Sequence, residues 1–179
     1  MIEPVAQTSE QSLQYLLDRQ AILDCIHRYC LGVDRHDAAM IASAFHPDAI
    51  DEHGPFSGGP GALADWANTF HAAQFLAHTH NITSHGCEID GDTAHAQSHC
   101  LYGLRRKDGE TVAMGSARYI DRLERRAGEW RIAHRRTLIE WRGELKAHMP
   151  EGYAQGTWDR SDPSYERPLV TSATQQKHP

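Results

Sequence analysis

Three groups of side chains in this sequence could do chemistry. His78-Thr79-His80 places two imidazoles on one face if the segment is a strand, with His85 and Glu88 following. Asp34 stands five residues after Tyr29 at the end of an apolar-striped segment, and His99, Arg135 and Arg136 lie in later segments of strand character. Thirteen histidines in 179 residues point to metal ligation or to proton transfer near neutral pH. In the second chemistry, a carboxylate that accepts a hydrogen bond from one ring nitrogen fixes the tautomer and stabilises the imidazolium. The other nitrogen is then free to take a proton. Each residue also has an ordinary reading: Asp34 is placed to cap the segment after it, Tyr29 to serve as a core aromatic, and the histidines to lie on the surface.

The elements that would position these groups follow from periodicity. Residues 18–33 carry Ile22, Ile26, Tyr29 and Val33 at steps of three and four, which predicts an amphipathic helix ending near Gly32 to Asp34. Asp37 reads as the N-cap of a second short helix carrying Met40, Ile41 and Phe45, stopped by His46-Pro47. Residues 49–53 read as a short strand, the Gly-rich run 55–61 as a turn, and residues 62–70 as a third helix through Leu63, Trp66 and Phe70. Four segments near 78–89, 93–106, 111–125 and 129–142 are joined by tight polar turns and predict an antiparallel meander. Helices followed by a meander make an α+β domain whose helices cover one face of a curved sheet, leaving a hollow between the layers.

Composition narrows the partners. Eighteen Lys and Arg against 24 Asp and Glu give a net charge of −6, which argues against nucleic acid and anionic lipid and for a small molecule or another protein. The first residues lack a secretory pattern, and no window approaches the ~18 apolar residues of a bilayer span. Cys25, Cys30, Cys87 and Cys100 are scattered without a Cys-x-x-Cys pair, as expected of reduced thiols in a cytoplasmic protein. The expected layout is an N-terminal arm at 1–14, one domain at 15–142 and an extended tail at 143–179. Trp158 and Tyr165 in that tail suggest docking, for instance on a neighbouring subunit.

The stretch from Ile22 to Gly61, with Tyr29-Cys30-Leu31-Gly32-Val33-Asp34, then Phe45-His46-Pro47-Asp48-Ala49 and the Gly-rich loop, resembles the start of a SnoaL-like domain. Within that superfamily the nearer resemblances are to the bile-acid 7α-dehydratases and hexachlorocyclohexane dehydrochlorinase, with scytalone dehydratase further away. The resemblance implies a cone-shaped α+β barrel of the nuclear transport factor 2-like, cystatin-like type. It sets Tyr29, Asp34 and His80 at the family's catalytic positions and, through the Gly-x-Trp turn, Arg135 at a substrate-contacting one. Gly103 and Ile139 stand where the bile-acid enzymes carry a carboxylate and an arginine, so their substrate is not implied.

On this resemblance the expected activity is that of a cofactor-independent lyase, a dehydratase acting on a hydrophobic cyclic molecule such as a steroid or polyketide. His80 would be the base held by Asp34, Tyr29 a hydrogen-bond donor, and Arg135 a stabiliser of negative charge. His99, Phe45, Trp66, Phe70, Leu101 and Ile139 are expected around the substrate. An isomerase or cyclase of the same fold, or a non-catalytic ligand-binding or assembly domain, are the alternatives. No metal is expected, because the superficial likeness of His78-Thr79-His80 to a cupin motif lacks that motif's glutamate spacing. A homo-oligomer, trimer or dimer, is expected.

Overall fold

The structure, a computed structural model, describes residues 8–171. The ends of the expected arm and tail, residues 1–7 and 172–179, lie outside the described residues. The first helix, α1 (Ser9–Asp34), begins well before its apolar stripe because Thr8 closes a capping box. Gln11 N–H donates to Thr8 Oγ1 at 3.2 Å, and Thr8 N–H donates to Gln11 Oε1 at 2.9 Å. Leu13, Leu16 and Leu17 remain exposed, so those first turns carry no burial periodicity to read.

Asp37 caps α2 (Ala38–Ser43), accepting from Met40 N–H at 3.0 Å. The sequence pattern places Phe45 in that helix, but it opens strand β1 (Phe45–His53) instead. Pairing decides this, because Ile132 N–H donates to Ala44 C=O at 2.9 Å and Phe45 sits in register with Ile132. Pro47 is tolerated because the register shifts between Phe45 and Ile50. The Gly-rich run is likewise more than a turn: β2 (Phe56–Gly58) folds back antiparallel on β1 before α3 (Pro60–Gln74) starts.

The meander follows as β3 (Phe75–Asp90), β4 (Thr93–Arg106), β5 (Thr111–Arg126) and β6 (Glu129–Lys146). The six strands form one sheet in the order β2-β1-β6-β5-β4-β3, antiparallel except where β1 runs parallel to β6. Bulges in β3 at 82–84 and in β6 at 139–141, opposite Ser116 and Ala117 of β5, bend the strands, and the helices cover the resulting concave face. This is the expected cone-shaped α+β fold, and Ile22, Ile26, Ile41, Leu63, Leu123 and Ile132 are fully buried in the layer between.

Gly32 sets how closely α1 and α2 meet. A Cβ there would stand 2.7 Å from Ile41 N and 3.1 Å from the Met40 carbonyl carbon, both backbone atoms that cannot swing away. Gly32→Ala is therefore expected to cost about 1–3 kcal/mol, read as a lower urea midpoint.

Past β6 the chain returns over the domain's own helix end rather than reaching only for a neighbour. Trp158 stacks on His36 with ring centroids 3.8 Å apart at 11°, and Asp37 accepts from Tyr165 Oη–H at 3.1 Å and from Arg160 Nη2 at 3.2 Å. Asp162 accepts from the N–H groups of Ser164 and Thr157, each at 2.9 Å. Those of Ser164 first, then that of Thr157 and the nearby Arg35 charge hold its pKa down to about 2. A carboxylate depressed on folding adds stability above its unfolded pKa of about 3.9, and this is lost as pH falls toward 2. Asp162→Asn should mimic that acid state at neutral pH, with amide exchange at Thr157 and Ser164 about tenfold or more faster by mass spectrometry.

Candidate active site

The C-terminal end of α1 and the first half of β3 are joined by two histidines. Asp34, in the last turn of α1, accepts through Oδ2 from the His80 backbone N–H at 2.9 Å and through Oδ1 from His80 Nδ1–H at 2.7 Å. His78, two residues earlier on the same face, donates from Nε2 to Val33 C=O at 2.8 Å. With Nδ1–H committed to the carboxylate, His80 carries its lone pair on Nε2. Burial would lower the pKa of this imidazole, but the hydrogen bond and charge of Asp34 outweigh it, and the net shift is upward. An imidazole held in this way can accept a proton on Nε2.

His80 lines a cavity of about 750 Å³, a volume suited to a small organic ligand. Trp66 and Phe70 of α3 form one wall, with their rings stacked 5.8 Å apart, and Ile139 of β6 forms part of another. Tyr29 and Tyr119 meet edge to face at 5.7 Å on the same lining. Burial first, and nearby negative groups second, push both phenols well above their ordinary pKa, so both stay neutral donors.

Other lining residues carry no signal in the linear sequence. Tyr102 of β4 is in register with His80, their rings 6.1 Å apart, and it lies across Gly115 of β5, where a Cβ would overlap its hydroxyl. His53 also lines the cavity, with Nδ1 3.2 Å from Thr137 Oγ1 and 3.3 Å from the buried Asp51 carboxylate. His71 of α3 completes a polar corner beside His80, with ring centroids 6.0 Å apart.

Four expected residues stand elsewhere. Arg135 has a fully buried side chain that donates from Nε and Nη2 to Asp121 at 2.7 and 2.8 Å. Its guanidinium lies 4.4 Å from the Tyr29 ring centroid and 4.1 Å from that of Tyr119, so it supports the lining from behind rather than facing the cavity. Phe45 is core, packed edge-on against Tyr29 at 5.7 Å. His99 and Leu101 share a face of β4 opposite to Cys100 and Tyr102. His99 bonds Ser84 Oγ at 2.9 Å in a separate groove with His85 and His95, and Leu101 is exposed on the outside of the sheet.

A family model described as a SnoaL-like domain matches residues 14–136, more than half of the chain and every element from α1 to the middle of β6. The chain belongs to the SnoaL-like family. Among solved structures of this fold, Rv3472, a protein of unknown function from Mycobacterium tuberculosis, is 30% identical with a TM-score of 0.63, over 71% of this chain and 74% of that one. Hexachlorocyclohexane dehydrochlorinase LinA type 2 is 24% identical with a TM-score of 0.71, over 79% of this chain and 99% of that one. LinA type 3 from Novosphingobium barchaimii LL02 is 23% identical with a TM-score of 0.70, over 78% and 98%. No curated protein matches the sequence. Among the described residues, no helix is long and apolar enough to cross a membrane.

Proposed function

We propose that this SnoaL-like protein is a lyase of the dehydratase type that removes a proton with His80 and expels a leaving group from a hydrophobic cyclic substrate. The observation that carries this reading is the 2.7 Å contact of His80 Nδ1 with Asp34 on the wall of a cavity otherwise rich in aromatic and aliphatic side chains. Nε2 takes a proton next to a carbonyl or opposite the leaving group and the C–H electrons form the new double bond; halide departs with its bonding pair, or hydroxide departs with it and becomes water by taking up the proton that His80 has gained. Tyr29, a neutral donor on the same lining, hydrogen-bonds the developing oxyanion or departing hydroxyl. Arg135 acts as a positioning residue, its charge fixed by Asp121 behind the Tyr29 and Tyr119 rings. The proton transfer itself needs no cofactor.

The dehydrochlorinase activity named for LinA is an elimination, and it supports the class of reaction. The walls of Trp66, Phe70 and Ile139 support a flat, apolar substrate of steroid- or polyketide-like character. The exposed Leu101, Leu138, Trp141 and Leu145 on the sheet support a homo-oligomer, trimer or dimer, and the four unbridged cysteines support a reducing, cytoplasmic setting.

A thermal-shift screen of hydroxylated steroids, polyketide intermediates and chlorinated cyclohexanes, followed by mass spectrometry of each stabilising compound, tests the reading. A product lighter by one water or one hydrogen halide is the expected result. Unchanged mass with altered retention would replace elimination by isomerisation or cyclisation, since the same base can return its proton to another carbon. Stabilisation with no product from any ligand would leave a binding domain.

A further inference from the structure

Behind the acid-base pair, three more imidazoles converge from three different elements. His36 comes from the turn between α1 and α2, His71 from the last turn of α3, and His78 from β3. One ring nitrogen from each lies within 4.8 Å of the other two. His36 Nε2, His71 Nδ1 and His78 Nδ1 are all buried and have no hydrogen-bond partner within the protein. Unpaired buried polar atoms are rare, and three in one place call for a common partner.

The tautomer of His78 is fixed by its neighbour. Its Nε2–H donates to Val33 C=O at 2.8 Å, which leaves Nδ1 as a bare lone pair. A ligating histidine is ordinarily held in this way, with its far N–H on a carbonyl. A metal ion binds each ring through the lone pair of its neutral form. Asp34 Oδ1, 4.0 Å from His78 Nε2, supplies negative charge one layer away.

The geometry also shows what holds the group together. His36 is a non-glycine residue at φ +52°, a conformation that persists only where surrounding contacts enforce it. Asn68 Nδ2 donates to its carbonyl at 3.1 Å, and Trp158 of the returning tail stacks on its ring. On the other side the rings of His71 and His78 stack at 4.2 Å.

We propose that His36, His71 and His78 form a tris-histidine site for a divalent transition-metal ion, zinc above all, lying behind the catalytic pair and closed over by Trp158. Three neutral nitrogens with no carboxylate among them suit zinc and its late first-row neighbours, and they disfavour magnesium and calcium. Zn–N bonds of about 2.0–2.1 Å set tetrahedral nitrogens about 3.3 Å apart, so small side-chain rotations close the site from its present spacing. Three protein ligands leave a fourth position for water. This assignment departs from the metal-free expectation drawn from the sequence. It goes beyond the proposed elimination, because it concerns what the protein binds and not what it turns over.

The test uses the full chain made without a histidine tag, stripped with a chelator and titrated with zinc chloride and, separately, cobalt chloride. The expected result is one zinc per chain by elemental analysis and a higher Tm. Cobalt should give the intense visible bands of a four-coordinate site and quench Trp158 fluorescence, a signal absent in Trp158→Phe. His36→Gln and His71→Gln should each weaken zinc binding by about 10²-fold or more, since loss even of an outer-shell partner costs 10–100-fold. His95→Gln, in the outer groove, should leave it unchanged. His36→Gln alters a half-buried side chain and is expected to keep its fold, checked by circular dichroism. Sub-stoichiometric binding by the wild type, or undiminished binding by both ligand variants, would overturn the site and leave a buried water as its occupant. Neither result bears on turnover by His80.

Discussion

Replacing His80 by alanine is expected to lower kcat on the identified substrate by about 10²–10⁴-fold, the usual worth of a positioned general base. The loss should fall on kcat and not on KM, because the imidazole meets only the departing proton while the aromatic walls hold the ring system. Asp34→Asn should do comparable damage by a different route. An asparagine amide can donate to Nδ1, which reverses the tautomer and puts the proton on the nitrogen that should accept one. Both variants are expected to fold, since neither Asp34 nor His80 belongs to the apolar core cluster and Oδ at position 34 still accepts the backbone N–H of residue 80, and circular dichroism provides the check. Stopped-flow or steady-state rates equal to wild type in both variants would refute the acid-base role.

Much of this site was legible because it depends on strand parity and helix phase. The apolar stripe of α1 ends at Asp34, and the face of β3 that carries His78 also carries His80; that these two elements meet is implied by the resemblance to the SnoaL-like family and not by either periodicity. Trp66 and Phe70 sit four residues apart on α3 and share a wall for the same reason. The features that escaped depend on register and on contacts between distant elements. Counting back from the Asp90-Gly91-Asp92 turn in an unbroken hairpin would set His80 opposite Gly103. The bulge at 82–84 moves it opposite Tyr102 instead, and nothing in the side chains of that stretch announces a bulge.

His99 and Leu101 were misplaced for a simpler reason. Neighbouring residues on a strand cannot both face inward, and Cys100 and Tyr102 hold the inner positions. The histidine cluster combines a turn, a helix and a strand, so no spacing rule within one element could have joined His36 and His71 to His78. In the same way β1 begins at Phe45 because β6 offers it Ile132 as a partner, 87 residues away in the chain, which local helix signals around His46-Pro47 cannot register.

Arg135 leads to the largest expected change in stability. The resemblance points Arg135 rather than Arg136 inward, but on the inner face of β6 it meets Asp121 directly across the β5–β6 ladder and is consumed by that bidentate pair. Asp121→Ala would leave a fully buried guanidinium without its counter-ion, beneath aromatic rings that offer only weak compensation. Removing one partner of such a pair typically costs about 3–5 kcal/mol. The buried Asp51 carboxylate, which already adds to the electrostatic hold on Arg135, makes the lower end of that range the expected value. The measurement is the urea unfolding free energy of Asp121→Ala against that of the double variant Asp121→Leu with Arg135→Met. If the pair fixes the geometry behind Tyr29 and Tyr119 more than it stabilises the fold, the double variant recovers most of the lost stability while kcat stays low. Recovery of both would show that the ion pair only fills space, and recovery of neither would show that the charge balance with Asp51 holds this part of the core together.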